Sequence, residues 1–286
     1  SLYHQPYLAK IGSIPTISKN DCFMSSPLSL RESALQALII SDPDEKIAAV
    51  QKISFDTLLH TQVITPPSQT IPGRPLRPEL VPPQKVTYRS VHSEQGKAAL
   101  IHAIAHIEFN AINLALDIIW RFADLPDDFY RDWLRVAKEE AYHFSLVRDH
   151  LRNLGYEYGD FTAHNGLWEI CEKTANDLMA RLALVPRTLE ARGLDVSPVI
   201  QNKLASINDH EGVKILDIIL RDEVGHVELG NKWYLYMCQQ TGKDPIATYA
   251  NMVHTYHVAK PKGPLNVKAR KQAGFTDEEL AWLSSD

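Results

Sequence analysis

Cysteine is scarce in this chain. Cys22, Cys171 and Cys238 are the only three in 286 residues, and they lie far apart. That excludes a disulfide framework, a Cys-x-x-Cys redox pair and a cysteine-rich zinc site, and it suits a reducing compartment. A dominant charge is also lacking. Lys+Arg 30 against Asp+Glu 35 leaves a net −5, so no global electrostatic pull toward nucleic acid exists. No apolar run is clean enough to cross a membrane, because the best stretch, 98–120, is interrupted by His102, His106, Glu108, Asn110, Asn113 and Asp117. The opening SLYHQPYLAK has neither the apolar core nor the cleavage site of a signal peptide. Strand signals are few, and no Gly-rich strand-to-helix turn is present to cradle a nucleotide phosphate. The expectation is an all-α, cytoplasmic protein with no membrane partner.

What is present is a supply of core: 44% apolar residues against 23% charged, the balance of an ordinary globular chain. Three zones are expected. Residues 1–92 form an extension with helical patterns over 28–40 and 43–59, started by Ser26 and Asp42 before prolines. Within it, 65–86 carries seven of the 17 prolines and reads as an extended strap. Residues 93–240 read as a four-helix bundle: helix A over 93–122, B over 127–153, C over 167–192 and D over 209–240. A short helix over 198–206 precedes D, and 154–166 is one long crossover between B and C. Residues 241–286 form a helical tail whose last helix starts at Thr276.

The informative charges sit inside apolar stripes. Stepping by three and four along helix A gives Ile101, Ile104, Ala105, Glu108, Ala111, Ile112, Ala115 and Ile119. Helix B gives Trp133, Val136, Ala137, Glu140, His143, Phe144 and Val147, and helix D gives Leu216, Ile219, Leu220, Glu223, His226, Val227 and Gly230. Helix C carries Glu190 in a weaker stripe, one turn beyond Pro186, which is expected to kink it. An unpaired carboxylate in such surroundings costs several kcal/mol or gives up its charge. Four of them need a common reason, and a pair of divalent cations is one.

A single Glu from two helices and Glu-x-x-His from two others is the di-iron carboxylate arrangement, and here Glu108, Glu140-x-x-His143, Glu190 and Glu223-x-x-His226 supply it. One Glu-x-x-His arises readily by chance. Two, interleaved with Glu108 and Glu190, carry weight. The spacing agrees, since antiparallel helices joined midway between Glu108 and Glu140 turn at Asp124, and those between Glu190 and Glu223 turn near Ser206–Ile207. The alternative is buried Glu–His pairs that satisfy one another without metal. Glu139 and Asp222 each precede a ligand histidine by four residues and are candidates to orient imidazoles, with Arg192, Arg221 and His106 as further outer partners.

The segments PGRP (72–75), HAIAHIE (102–108), EEAYH (139–143), EARGLD (190–195), DEVGH (222–226) and AR..AGF (269–275) resemble the ferritin-like superfamily, and within it a domain-of-unknown-function family sometimes labelled rhamnosyltransferase. The arrangement is similar to the tRNA-modifying di-iron hydroxylase and to demethoxyubiquinone hydroxylase. The resemblance implies a ferritin-like bundle with one long crossover and oxygen activation at two metal ions, most readily iron, with manganese or zinc as alternatives. The substrate would be small or nucleoside-like, and an electron donor would be needed. Two other functions stand beside this one: a metal-binding or iron-handling protein without oxygen chemistry, and a transferase or interaction protein with a structural metal site. Lys260, Lys262, Lys268, Arg270 and Lys271 are a weak pointer to nucleic acid and read more simply as a solvated tail.

Overall fold

The computed structural model describes residues 26–286; Cys22 and the opening decapeptide lie outside them. Among the described residues the protein is an all-α bundle with no strands. Two helices precede the bundle, α1 (Leu30–Ile39) and α2 (Pro43–Lys52). Ser29, not Ser26, caps α1, because Glu32 answers it three residues on in a capping box. Asp42 caps α2, with Pro43 in the first turn, where its missing N–H costs nothing.

The central helices are α3 (Glu94–Arg121) and α4 (Asp127–Asn153), joined by a tight turn in which Asp124 takes a positive φ of 60°. Long apolar stripes make both nearly continuous, and 78% of the most apolar window of α3 is buried by the rest of the protein. Residues 154–165 then run along α3. The Gly159 N–H donates to His102 Nε2 at 2.9 Å, His106 meets Tyr158 and the His164 carbonyl, and further on Cys171 reaches Asp117. Successive residues of the crossover thus meet successive turns of α3, and the chain returns to the far end of the bundle.

The third helical run departs from the expected helix C. It is divided into α5 (Gly166–Lys173), α6 (Leu178–Leu184) and α7 (Ala191–Ser206), with a π-helical segment Val185–Glu190 between the last two. Gly193 does not stop it, and the helix runs through Pro198 to Ser206. Gly193 has helical neighbours on both sides, and Pro198, at the eighth position of α7, is absorbed within it. The interruption falls at Pro186 instead. Its absent N–H removes an α-helical bond, and the wider π turn closes over it, with Thr188 Oγ1 donating to the Ala183 carbonyl at 2.7 Å.

After a turn at Asn208 (φ 60°) the chain enters α8 (His210–Thr241), capped by Asp209 and stopped by Gly242 in the left-handed region. Asp209 also accepts from His150 at 2.9 Å, tying the start of α8 to the end of α4. Helices α9 (Pro245–Thr255), α10 (Val267–Gln272) and α11 (Asp277–Ser284) form the tail.

Two buried cations join the extension to the bundle. Arg31, fully buried, donates to the carbonyls of Ile119, Trp120 and Phe122, which α3 leaves unpaired at its end, and to those of His60 and Gln62. Lys46, also fully buried, donates to the Leu38 and Gly73 carbonyls and to Asn113. Gly73 is required there, because a Cβ would sit 2.0 Å from the Ile39 carbonyl oxygen. The strap continues beside the crossover, where the Val81 N–H donates to the Ala163 carbonyl and the Ala163 N–H donates to the Glu79 carbonyl.

Burial holds the His102 imidazole near pKa 4, with His106 adding to the effect. A group depressed in the folded state favours unfolding as pH falls, because the unfolded chain takes up the proton first. Stability should therefore rise with pH between about 4 and 6.5. Urea titrations at pH 7 and 4.5 should show the wild type losing about 2 kcal/mol more than His102→Gln, which keeps an acceptor for Gly159 but cannot ionise.

Candidate metal centre

The four helical runs bring their interior carboxylates and histidines to one level of the bundle. Glu108, Glu140 and His143 form one group that can hold a metal ion, and Glu140, Glu223 and His226 form another. Within each, one ligand atom per residue lies within 4.8 Å of the others. Glu140 belongs to both. One of its oxygens lies 2.7 Å from His226 Nδ1 and the other 3.3 Å from His143 Nδ1. The two imidazole centroids are 6.0 Å apart with that carboxylate between them. Each histidine also meets the Glu of its own side, His143 with Glu108 at 3.5 Å and His226 with Glu223 at 3.3 Å.

Glu190 approaches from the third run, at the last residue of the π segment. It makes no hydrogen bond, and its Oε2 is buried without a partner. Burial raises its carboxyl well above the usual range, and the nearby Glu223 and Glu140 raise it further. Glu108 Oε2 is also buried without a hydrogen bond, though His143 Nδ1 stands 3.5 Å away, and burial raises this carboxyl too, with Glu140 adding to the effect. Burial also raises Glu223. Burial opposes ionisation of Glu140 too, yet the groups around it reverse the sign and hold it well below the usual value. His143 is pushed up to about 11, because Glu108 and Glu140 outweigh its burial, and His226 rises for the same reason. The donor set of hard carboxylate oxygens and two borderline imidazoles suits divalent transition metals, and the unbonded oxygens of Glu108 and Glu190 are available to a cation.

The outer carboxylates do not serve the histidines of their own helices. His143 Nε2 meets Asp222 of α8 at 2.8 Å, and His226 Nε2 meets Glu139 of α4 at 2.6 Å. The pairing is crossed, and it fixes each ring with Nδ1 toward the centre. Arg221 bonds Asp222 at 3.0 Å, and Arg135 lies 3.7 Å from Glu139. Arg192 and His106, expected among the outer partners, belong elsewhere. The Arg192 guanidinium donates to the Ala259 carbonyl, and both His106 nitrogens are engaged on the opposite side of α3. Arg135 was missed by the sequence reading, although it stands four residues before Glu139 on one helix face.

The tail braces the segment that carries Glu190. Thr188 Oγ1 lies 2.6 Å from the Tyr249 hydroxyl, and Arg187 pairs with Glu279 while lying over the rings of Tyr234, Tyr249 and Phe275. In the basic stretch, Lys260 donates to Trp282 and Ser285, Arg270 pairs with Asp195, and Lys271 pairs with Asp277.

The fold and site define a helical bundle whose interior holds carboxylate–histidine groups able to bind metal. The chain belongs to the family described as a protein of unknown function (DUF455), which matches residues 39–281. It is similar to an uncharacterized protein of Haemophilus influenzae, 48% identical over 261 residues, which cover 86% of this chain and 91% of the relative. No solved structure matches the chain.

Two outcomes follow from this geometry. Glu139→Gln and Asp222→Asn should each lower affinity for a divalent cation by about 10–100-fold, read by competition with a chromophoric chelator. Gly230 lies against the π segment, where a Cβ would come within 2.5 Å of Pro186 Cβ. Gly230→Ala should cost about 1–3 kcal/mol in denaturant titration and reduce the metal bound per chain, because moving Pro186 moves Glu190.

Proposed function

We propose that the protein is a dinuclear-metal oxidoreductase of the ferritin-like type, using two ions, iron first among them, in oxygen-dependent hydroxylation or oxidation. The observation that carries this reading is Glu140. One buried carboxylate presents an oxygen to each of two imidazoles, and each imidazole has a further glutamate beside it. A carboxylate so placed would be able to serve two adjacent ions at once, and the helix origins of the six residues follow the di-iron carboxylate pattern. The course of the chain, with a long crossover along α3 between two antiparallel pairs, supports the same reading.

Glu108, Glu140 and His143 would hold one ion and Glu140, Glu223 and His226 the other, with Glu190 completing the second side. When bound, two irons supply one- and two-electron chemistry toward oxygen that no protein side chain offers. The chain's own part is to bind, orient and keep dry. Glu139 and Asp222 hold the imidazoles by their outer nitrogens. Ile104, Val147 and Leu216, with Ile101 and Ile215, make an apolar recess along the bundle axis on the α3 N-terminal side of the ligands. These side chains keep that end of the bundle interior apolar.

A second reading is supported by burial. Glu108, Glu140, His143 and His226 are nearly or wholly shielded from solvent, as suits a protein that holds metal without turning over oxygen. One experiment separates the two. The full chain is loaded anaerobically with ferrous iron, the metal is counted, and oxygen uptake and visible absorption are followed on admitting air. The oxidoreductase reading expects about two irons per chain and oxygen consumption, both absent from Glu140→Ala, Glu223→Ala. Iron bound without oxygen uptake supports the second reading. No uptake, or uptake indifferent to the two glutamates, removes both.

A further inference from the structure

The face of α3 opposite Glu108 carries its own polar row. His106, Asn110 and Asn113 succeed one another at four and three residues, and Glu108 lies two residues from His106, about 200° around the helix. Together with Phe109 they line a recess roofed by Arg74, Pro75, Pro78 and Leu80 of the strap and closed by Tyr158 of the crossover. Its empty space is about 250 Å³ including the open mouth, and its floor has room for about one water molecule.

Every charge built into this recess is positive. Lys46 is fully buried beneath it, with its ammonium on Asn113 Oδ1 at 2.5 Å and on two backbone carbonyls. Arg74 is half-buried at the wall and donates to Asn165 Oδ1 at 3.0 Å. No carboxylate pairs with either among the described residues. The acid that acts on Arg74, Glu172, is exposed and accepts from the Trp168 ring N–H. His106 cannot serve as a metal ligand or a counter-charge here, since both of its nitrogens are engaged and burial keeps it neutral, near pKa 4. Asn113 Nδ2 is buried without any partner, although its other amide atom accepts from Lys46.

One guanidinium without a carboxylate partner and an idle N–H donor around one small opening describe an anionic acceptor; burial and the nearby Arg74 bring Lys46 down to about 7, so it adds charge only while it holds its proton. We infer that the recess between strap and α3 binds a small carboxylate, gripped by the Arg74 guanidinium and by Asn113 Nδ2. The planar fork of arginine matches a carboxylate edge, and a floor with room for about one water favours the smallest such ion. The site is independent of the metal centre, because its donors come from the strap and from the far face of α3.

Calorimetric titration of the full chain with sodium formate, against sodium chloride at equal ionic strength, tests this. Saturable heat beyond the chloride control is expected from wild type and from Glu140→Ala, Glu223→Ala. Arg74→Gln should abolish it, and Arg74→Lys, which keeps the charge and loses the fork, should weaken it at least about tenfold. Arg74→Lys also gives the answer where Arg74→Gln fails to fold. Sodium phosphate should show no binding. The inference falls if formate behaves as chloride does, if binding survives Arg74→Gln, or if phosphate binds as well as formate. It also falls if binding disappears from the glutamate variant while persisting in the arginine variants, which would assign formate to a cation in the acidic centre.

Discussion

Four glutamates share one level of a bundle whose other interior residues are apolar, and the arrangement of the helices answers to the cost of putting them there. With both imidazoles neutral, Glu108, Glu140, Glu190 and Glu223 carry four negative charges; with both protonated, a net −2 remains. Desolvation at that scale is not offset by packing. Burial raises Glu108, Glu190 and Glu223, and the groups around Glu140 lower it while both histidines are raised. Divalent cations bound there would meet the same cost, since the donors already gather in two groups. Crossed restraint of the histidines by Asp222 and Glu139 belongs to this solution, because an imidazole held at Nε2 can turn only Nδ1 to the centre.

The third run shows what that requirement does to a helix. A regular α-helix through Pro186 would lose a hydrogen bond with nothing gained. The π segment converts the loss into a rotation that carries Glu190 to the interior and lets Pro186 lie against Gly230. Such a segment is locally weak, and the tail supplies the bracing through Tyr249, Glu279 and the aromatic rings around Arg187. Residues after the bundle are thus part of the support for Glu190 on the third run.

Long apolar periodicity made α3, α4 and α8 legible from sequence to within a residue or two, and with them the coincidence of Glu108, Glu140, His143, Glu223 and His226. Punctuation residues misled where neighbouring helix overrode them. Gly193 and Pro198 look like breaks, yet α7 passes through both. Spacing within one helix says which face a residue occupies and nothing about which neighbour it meets, so Glu139 looked like a partner for the histidine of its own helix. Arg31 and Lys46 were invisible for a related reason. Their acceptors lie up to 91 residues away, and all but Asn113 Oδ1 are backbone carbonyls that any sequence would offer.

Helix α3 divides the molecule electrically. Toward α4 and α8 it presents Glu108 to a concentration of acid; toward the strap and crossover it presents His106, Asn110 and Asn113 to Lys46 and Arg74. The polar residues that interrupt its apolar run in the sequence are therefore not one system, and Asp117, paired with Arg121 and Arg181, stands apart from both faces. Isolated asparagines and histidines in a core would be a liability, since each amide or ring atom must find a partner. Here the histidines find theirs in the crossover, where Gly159, Tyr158 and the His164 carbonyl take up the nitrogens. That is why a connection of a dozen residues without regular structure can lie against the turn of α3 that carries His102 and His106. Only Asn113 Nδ2 is left over. A row otherwise so fully satisfied gives its one idle donor a meaning that the same atom would lack in a loosely bonded core.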